Sequence, residues 1–215
     1  KDKIVKKALG TFPGIRLLRQ DPFQCYISFI VSSNSNIPNI KTRLQNLCKK
    51  FGRQKKIESK EFFVFPEAKV ISKASISEIL SCGVGYRAKA IKNASDMVVK
   101  NEIDFENLKK MDYHDAKQEL LKVLGIGNKV ADCILLFSLE KSEAFPLDRW
   151  MLRILQKYYS NRFQLTTKTL TNNSYDDVHQ KIVDYFGKYA GYSQQYLFKM
   201  ERELYNKNWL WQPLK

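Results

Sequence analysis

Lys129 and Asp148 are the residues of this chain best placed to make and break bonds, because each stands at a break in the helical pattern. Lys129 follows the turn Leu124-Gly125-Ile126-Gly127, which separates two stretches of helical apolar spacing. Glycines let a backbone approach a phosphate closely and aim N–H groups at it. A lysine in the first turn of the next helix meets the positive end of the helix dipole, so its amine is expected to lose a proton more readily than a free lysine. A neutral amine is a nucleophile. Asp148 follows Pro146-Leu147 and precedes the apolar pattern Trp150, Leu152, Ile154 and Leu155, where a carboxylate can cap a helix and still face a reacting centre.

A Gly-x-Gly turn with a following lysine also occurs in helix-hairpin-helix modules that only hold DNA. Such a grip needs neither a nucleophile nor a carboxylate, so the joint presence of Lys129 and Asp148 favours an enzyme. Composition supports a polyanionic partner: 37 basic against 22 acidic residues leave a net charge of +15, which promotes binding through counterion release and electrostatic steering. Charge alone would equally suit RNA or an anionic membrane surface. No apolar run approaches the ~20 residues that span a bilayer, and the start KDKIVKK lacks a signal-type apolar core after it. A soluble intracellular protein without a membrane partner is therefore expected.

Cys25, Cys48, Cys82 and Cys133 are far apart and lie in apolar helical patterns, which predicts free buried thiols over disulfides or a metal site. His114 and His179 are not spaced with the cysteines as a zinc set. No metal ligand set is expected, and any cation would rest mostly on backbone oxygen.

The elements that position these residues read as nearly all helical. Asp21-Pro22 is a cap followed by proline at the first helical position, ahead of a buried helix from Phe23 to Val31. Pro38 opens a second helix that stops at Gly52, and residues 53–60 read as a charged connector. Phe62 to Pro66 is a short apolar run compatible with extended chain, and Ser75-x-x-Glu78 is a capping box for a short helix closed by Gly83. Further helices are expected at about 86–100, 104–111, 114–124, 128–139, 148–159, 175–187 and 193–207. Thr166 to Ser174 reads as a loop, with Ser174-x-x-Asp177 capping the helix after it.

Five blocks in order along nearly the whole chain resemble the 8-oxoguanine DNA glycosylase/lyases of the helix-hairpin-helix superfamily. They are Arg16-Leu17-Leu18-Arg19-Gln20-Asp21-Pro22, Ser32-Ser33-Asn34-Ser35-Asn36-Ile37, Gly83-Val84-Gly85-Tyr86-Arg87-Ala88, the hairpin itself, and Tyr189-Ala190-Gly191-Tyr192-Ser193-Gln194. The absence of any cysteine after Cys133 separates the chain from the iron–sulfur branch of that superfamily. The resemblance implies an all-α fold of two helical subdomains, a central bundle over 20–140 and a second lobe from 1–19 and 141–215, with DNA in the cleft between them. It implies excision of 8-oxoguanine from duplex DNA by a monomer that needs no cofactor. A structural cation at the hairpin is the one bound group it suggests.

By the same resemblance, Lys129 attacks the sugar and leaves a Schiff base that permits β-elimination, while Asp148 assists proton transfer and stabilises the cationic sugar. Cys133, Gln194 and Phe198 hold the extruded base. Asn34 fills the gap it leaves, Tyr86 wedges the duplex, and Arg87 contacts the orphaned cytosine. Gly125 and Gly127 grip a phosphate, for which the plain alternative is a turn needing positive φ. Two positions depart from the family pattern. Asn39 stands where eukaryotic members carry a second arginine reader, and Arg149-Trp150 stands where they carry a valine and a phosphate-contacting histidine; Arg149 is expected to supply that contact, and Trp150 to pack. Eukaryotic members also carry a β-rich domain ahead of this region, and no segment here reads as one. The competing readings are a glycosylase for another damaged base and a non-catalytic DNA-binding hairpin module.

Overall fold

The computed structural model describes residues 2–163, 165 and 170–204. Helix α1 spans Lys3–Thr11 and is capped by Asp2, whose side chain accepts from the Ile4 and Val5 amides. α2 (Pro22–Ser32) starts on the Asp21 cap with proline in its first turn, and α3 (Ile37–Phe51) starts on Asn36. A two-stranded antiparallel hairpin comes next, β1 (Gln54–Ile57) with β2 (Lys60–Phe63), in the register Gln54 to Phe63. α4 (Ala68–Lys73) precedes α5 (Ile76–Ile79), whose Ser75–Glu78 capping box is closed in both directions. The chain then tightens into a π-helical turn at Leu80–Val84 and a 3-10 turn at Gly85–Arg87 before α6 (Ala88–Val99). α7 (Phe105–Lys110), α8 (Tyr113–Leu121), α9 (Asn128–Ser138), α10 (Arg149–Phe163), α11 (Asn172–Phe186) and α12 (Ala190–Leu204) complete the order, with a 3-10 turn at Gly187–Tyr189.

Two compact units divide the chain, one of residues 19–140 and one of residues 1–18 with 141–215. In the first, the apolar stripes of α2, α3, α6, α8 and α9 meet in a core that includes Ile27, Ile30, Leu47, Ile91, Leu120, Ile134 and Leu135. In the second, α1 and α10 to α12 bury Phe145, Met151, Leu155, Tyr159, Ile182 and Leu197. No helix among the described residues is long and apolar enough to cross a membrane. The four cysteines are free thiols, and burial pushes the Cys25 thiol up to about 12.

Several local elements differ from the sequence expectation. The connector at 53–60 contains β1, whose residues are all exposed and so carry no apolar alternation for a strand to be read from. The apolar run at 62–66 forms only the end of β2. α1 and α4 are additional helices, short and lysine-rich; in α1 the apolar residues Ile4, Val5 and Ala8 do fall at helical spacing. The cap of α11 is Thr171, which accepts from Ser174 N, and not Ser174 itself. Of the expected loop 166–174, positions 166–169 lie outside the described residues, as do 205–207 at the end of the last expected helix.

Candidate functional site

The hairpin joins α8 to α9 in unit 19–140, and its two glycines differ in what they are for. Gly125 sits at φ +85°, and a Cβ there would come within 2.9 Å of the Ala90 Cβ. That left-handed backbone and close packing on α6 account for the glycine without reference to any ligand. Gly127 has φ −105° and ψ 178°, extended backbone that any residue adopts, and a Cβ there would meet nothing within 4 Å. No property of the fold requires glycine at 127. It is also the N-cap of α9 and makes no side-chain cap, so no side chain at 127 covers the first amides of this eleven-residue helix.

Lys129 lies in the first turn of α9, half-buried, with Nζ 5.3 Å from the centre of the Phe29 ring on α2. No acidic side chain of its own unit pairs with it. Cys133, one turn on, is buried, and Phe137, a further turn on, stacks on Phe29 at 5.7 Å with the rings nearly parallel. Lys129, Cys133 and Phe137 therefore form one stripe of α9 along Phe29. α9 is also tied to α8 by a buried ion pair that sequence reading missed: Lys117 Nζ on α8 lies 3.7 Å from Asp132 Oδ1, which also accepts from the Tyr113 hydroxyl at 2.6 Å. The available signal was Tyr113 and Lys117 at i,i+4 on α8, with an aspartate inside an otherwise apolar helix.

The same unit brings Asn34, Tyr86 and Arg87 together, though not with equal access. Asn34 is exposed and held at φ 48°, a left-handed conformation that asparagine tolerates better than most residues. Tyr86 is 68% exposed and the Arg87 guanidinium carbon lies 4.4 Å from its ring centre. Arg87 itself is only 5% exposed. Its Nε donates to Ser33 O at 2.9 Å, one terminal nitrogen to Val84 O at 3.3 Å, and the other to Ser33 O and to Asn34 O. In this structure Arg87 holds the Asn34 loop from beneath. Asn39, exposed in the first turn of α3, gives its amide to the Asn36 cap at 2.9 Å.

In the other unit, Pro146 and Leu147 are buried and Leu147 N–H donates to the Tyr175 hydroxyl at 3.0 Å, which fixes the approach to α10. Asp148 is half-buried and caps α10, with Oδ1 accepting from Met151 N at 2.8 Å. Its second oxygen has no partner among the described residues of the unit. Arg149 is exposed, while Trp150 is half-buried with the Arg153 guanidinium 5.6 Å from its ring. Gln194, 5% exposed, and Phe198 share one face of α12, and Gln195 Nε2 donates to the Gln194 side-chain oxygen Oε1. The α12 N-terminus is pinned by Gly191 N–H to Ser142 O at 2.8 Å and by Ser142 Oγ to Lys188 O at 2.7 Å.

Residues 27–179 match the HhH-GPD superfamily of base excision DNA repair proteins. A protein of Methanothermobacter thermautotrophicus named as a probable N-glycosylase/DNA lyase is 32% identical over 94% of the chain and 68% of its own length. An N-glycosylase/DNA lyase of Arabidopsis thaliana is 35% identical over 87% of the chain, which spans about half of that protein, 52%. The 8-oxoguanine glycosylase/lyase of Clostridium acetobutylicum, solved with duplex DNA carrying cytosine opposite 8-oxoguanine, superposes with a TM-score of 0.85 at 33% identity, over 95% of this chain and 68% of that one. A 3-methyladenine glycosylase of Archaeoglobus fulgidus, TM-score 0.76 at 22% identity, shares the fold. The chain belongs to the HhH-GPD superfamily of base excision DNA repair proteins.

Proposed function

We propose that the chain is a bifunctional DNA glycosylase/lyase that removes 8-oxoguanine from duplex DNA. The observation that carries this reading is the start of α9, where Gly127 leaves a helix N-terminus open without any need of the fold for glycine, two residues ahead of Lys129. Uncapped amides suit a phosphate, and a phosphate held there sets the adjoining sugar beside the lysine. A base inside a duplex hides its glycosidic bond, so the nucleotide must first be extruded. Asn34 and Tyr86, exposed on neighbouring turns, suit the filling of the gap and the wedging of the strands.

Lys129 Nζ attacks the anomeric carbon, and the bond to the base breaks with its electron pair leaving on the base. Asp148 stabilises the positive charge on the sugar and carries protons, while its Oδ1 caps α10. Loss of a proton from nitrogen and opening of the sugar ring give the Schiff base; loss of a C2′ proton then expels the 3′ phosphate. Cys133, Gln194 and Phe198 supply a thiol, an amide with donor and acceptor, and a stacking face for the base, and Arg149 a phosphate contact. No cofactor is needed, because amine and carboxylate are the chain's own. A structural cation at the hairpin would rest on main-chain oxygens of the turn, as no cluster of His, Cys, Asp or Glu among the described residues can hold a metal.

The glycosylase/lyase names of relatives at 32% and 35% identity and the 8-oxoguanine neighbour at 33% favour this substrate over another damaged base. The test is incubation with duplexes that each carry one defined lesion, with identification of the released base and the cleaved strand. Release of 8-oxoguanine with strand scission supports the reading; release of only an alkylated base contradicts it.

A further inference from the structure

Two arginines, Arg43 and Arg87, converge on the pair of turns that carry Asn34 and Tyr86. Arg87 is buried, and all three of its guanidinium nitrogens donate to main-chain oxygens of Ser33, Asn34 and Val84. Arg43, on α3, is half-buried, with Nε donating to Gly83 O at 3.0 Å and one terminal nitrogen to Ser35 Oγ at 2.6 Å. Its other terminal nitrogen has no hydrogen bond within the unit, and no carboxylate there neutralises the group. Arg43 thus keeps a full charge and spare N–H groups, and it is anchored on Ser35 and Gly83, immediately beside Asn34 and three residues before Tyr86. It also lies one helical turn from Asn39 on the same face of α3.

The geometry points to Arg43 as a further specificity-determining residue, which donates its uncommitted N–H groups to the base left unpaired opposite the lesion. This rests on the proposed reading, since it presumes that the Asn34 and Tyr86 turns enter the duplex. A group anchored on those turns lies at the gap and not along the outer phosphates. An unpaired cytosine presents two adjacent acceptors, N3 and O2, on its pairing edge, whereas thymine, guanine and adenine each place a donor beside an acceptor. A planar guanidinium edge matches only the first pattern with two parallel bonds. Arg87 would have to abandon its main-chain partners to do the same work.

The experiment measures single-turnover excision of 8-oxoguanine opposite cytosine, thymine, guanine and adenine by the full chain, Arg43→Ala and Arg43→Lys. Binding of duplexes with a stable abasic-site analogue opposite the same four bases is measured in parallel, with thermal stability of each variant. A good bidentate base contact discriminates by roughly ten- to a hundredfold, so both variants should lose about that much preference for cytosine in excision and in analogue binding. The lysine variant keeps the charge and lacks the fork, which separates base reading from phosphate attraction. Equal losses opposite all four bases, or full preference restored by lysine, would overturn the assignment and leave Arg43 as a clip on the loop. Absence of 8-oxoguanine excision by the unaltered chain would instead sink the proposed function, while analogue binding still decides the role of Arg43.

Discussion

Lys117 and Asp132 face each other inside the hairpin with 3.7 Å between Nζ and Oδ1, each withdrawn from water. The pair ties α8 to α9 at Asp132, three residues on from Lys129 and next to Cys133, and so helps fix the rotation of the helix that carries both. Breaking such a buried pair by removing one partner costs about 3–5 kcal/mol, because it strands a charge. Asp132→Ala should therefore lower the melting temperature sharply, whereas Lys117→Met with Asp132→Leu should recover much of the loss. Equal destabilisation by the single and double variants would show that the pair does more than neutralise itself.

The two glycines of the hairpin should respond oppositely. Gly127→Ser adds a preferred N-cap at a compatible backbone, so stability should hold or rise by a few tenths of a kcal/mol. DNA affinity should nevertheless fall, with the slope of log affinity against log salt unchanged, because the lost contacts are uncharged amides. Gly125→Ala should destabilise by about 1–2 kcal/mol through its left-handed backbone, with further loss from Ala90. Undiminished affinity of folded Gly127→Ser would move the phosphate grip elsewhere.

Asp148 joins a structural and a proposed chemical role that asparagine separates. Asp148→Asn keeps an acceptor for Met151 N and should cost little stability, yet slow base release at least ~10²-fold. Asp148→Ala should add about 1 kcal/mol of destabilisation from the lost cap. Near-normal single-turnover release by the asparagine variant would leave only the cap.

Asp2 gives unit 1–18 with 141–215 a dependence on acid. Burial alone would raise its pKa, but hydrogen bonds from Val5 N, the Tyr185 and Tyr159 hydroxyls and Ile4 N together hold it below the usual carboxylate value. A depressed folded pKa contributes stability that is fully present above the unfolded value of about 3.9 and is lost as pH falls through the folded one. Melting temperatures of the unaltered chain and Asp2→Asn should differ at neutral pH and converge as pH falls below the ordinary carboxylate range and the carboxylate takes up its proton. A constant difference across that range would show that Asp2 acts without titrating.

Much of this was legible in the sequence because caps and breaks are local. Asp21-Pro22, the Ser75–Glu78 box and the hairpin glycines announce themselves within four residues, and seven expected helices from 86 onward appear near their expected bounds. The β-hairpin was hidden because all eight strand residues are exposed and give no alternation. Arg43 and Arg87 were harder still. Nothing in one dimension shows that Arg87 spends its nitrogens on carbonyls 53 and 54 residues away, or that Arg43 reaches a carbonyl 40 residues on. Which arginine faces outward is a property of packing. The two glycines make the same point, since only the backbone conformation separates the one that the fold needs from the one that it does not.

Lys129 is the proposed nucleophile on which the chemistry turns, and borohydride trapping on an 8-oxoguanine duplex tests it most directly. Reduction should fix a covalent protein–DNA complex with the unaltered chain, mapping to Lys129 by peptide mass analysis. Lys129→Gln should give none, with base release and strand cleavage abolished and DNA binding nearly intact, since one positive charge of many is lost. A trapped complex with Lys129→Gln, or one that maps to another amine in the unaltered chain, would contradict this assignment.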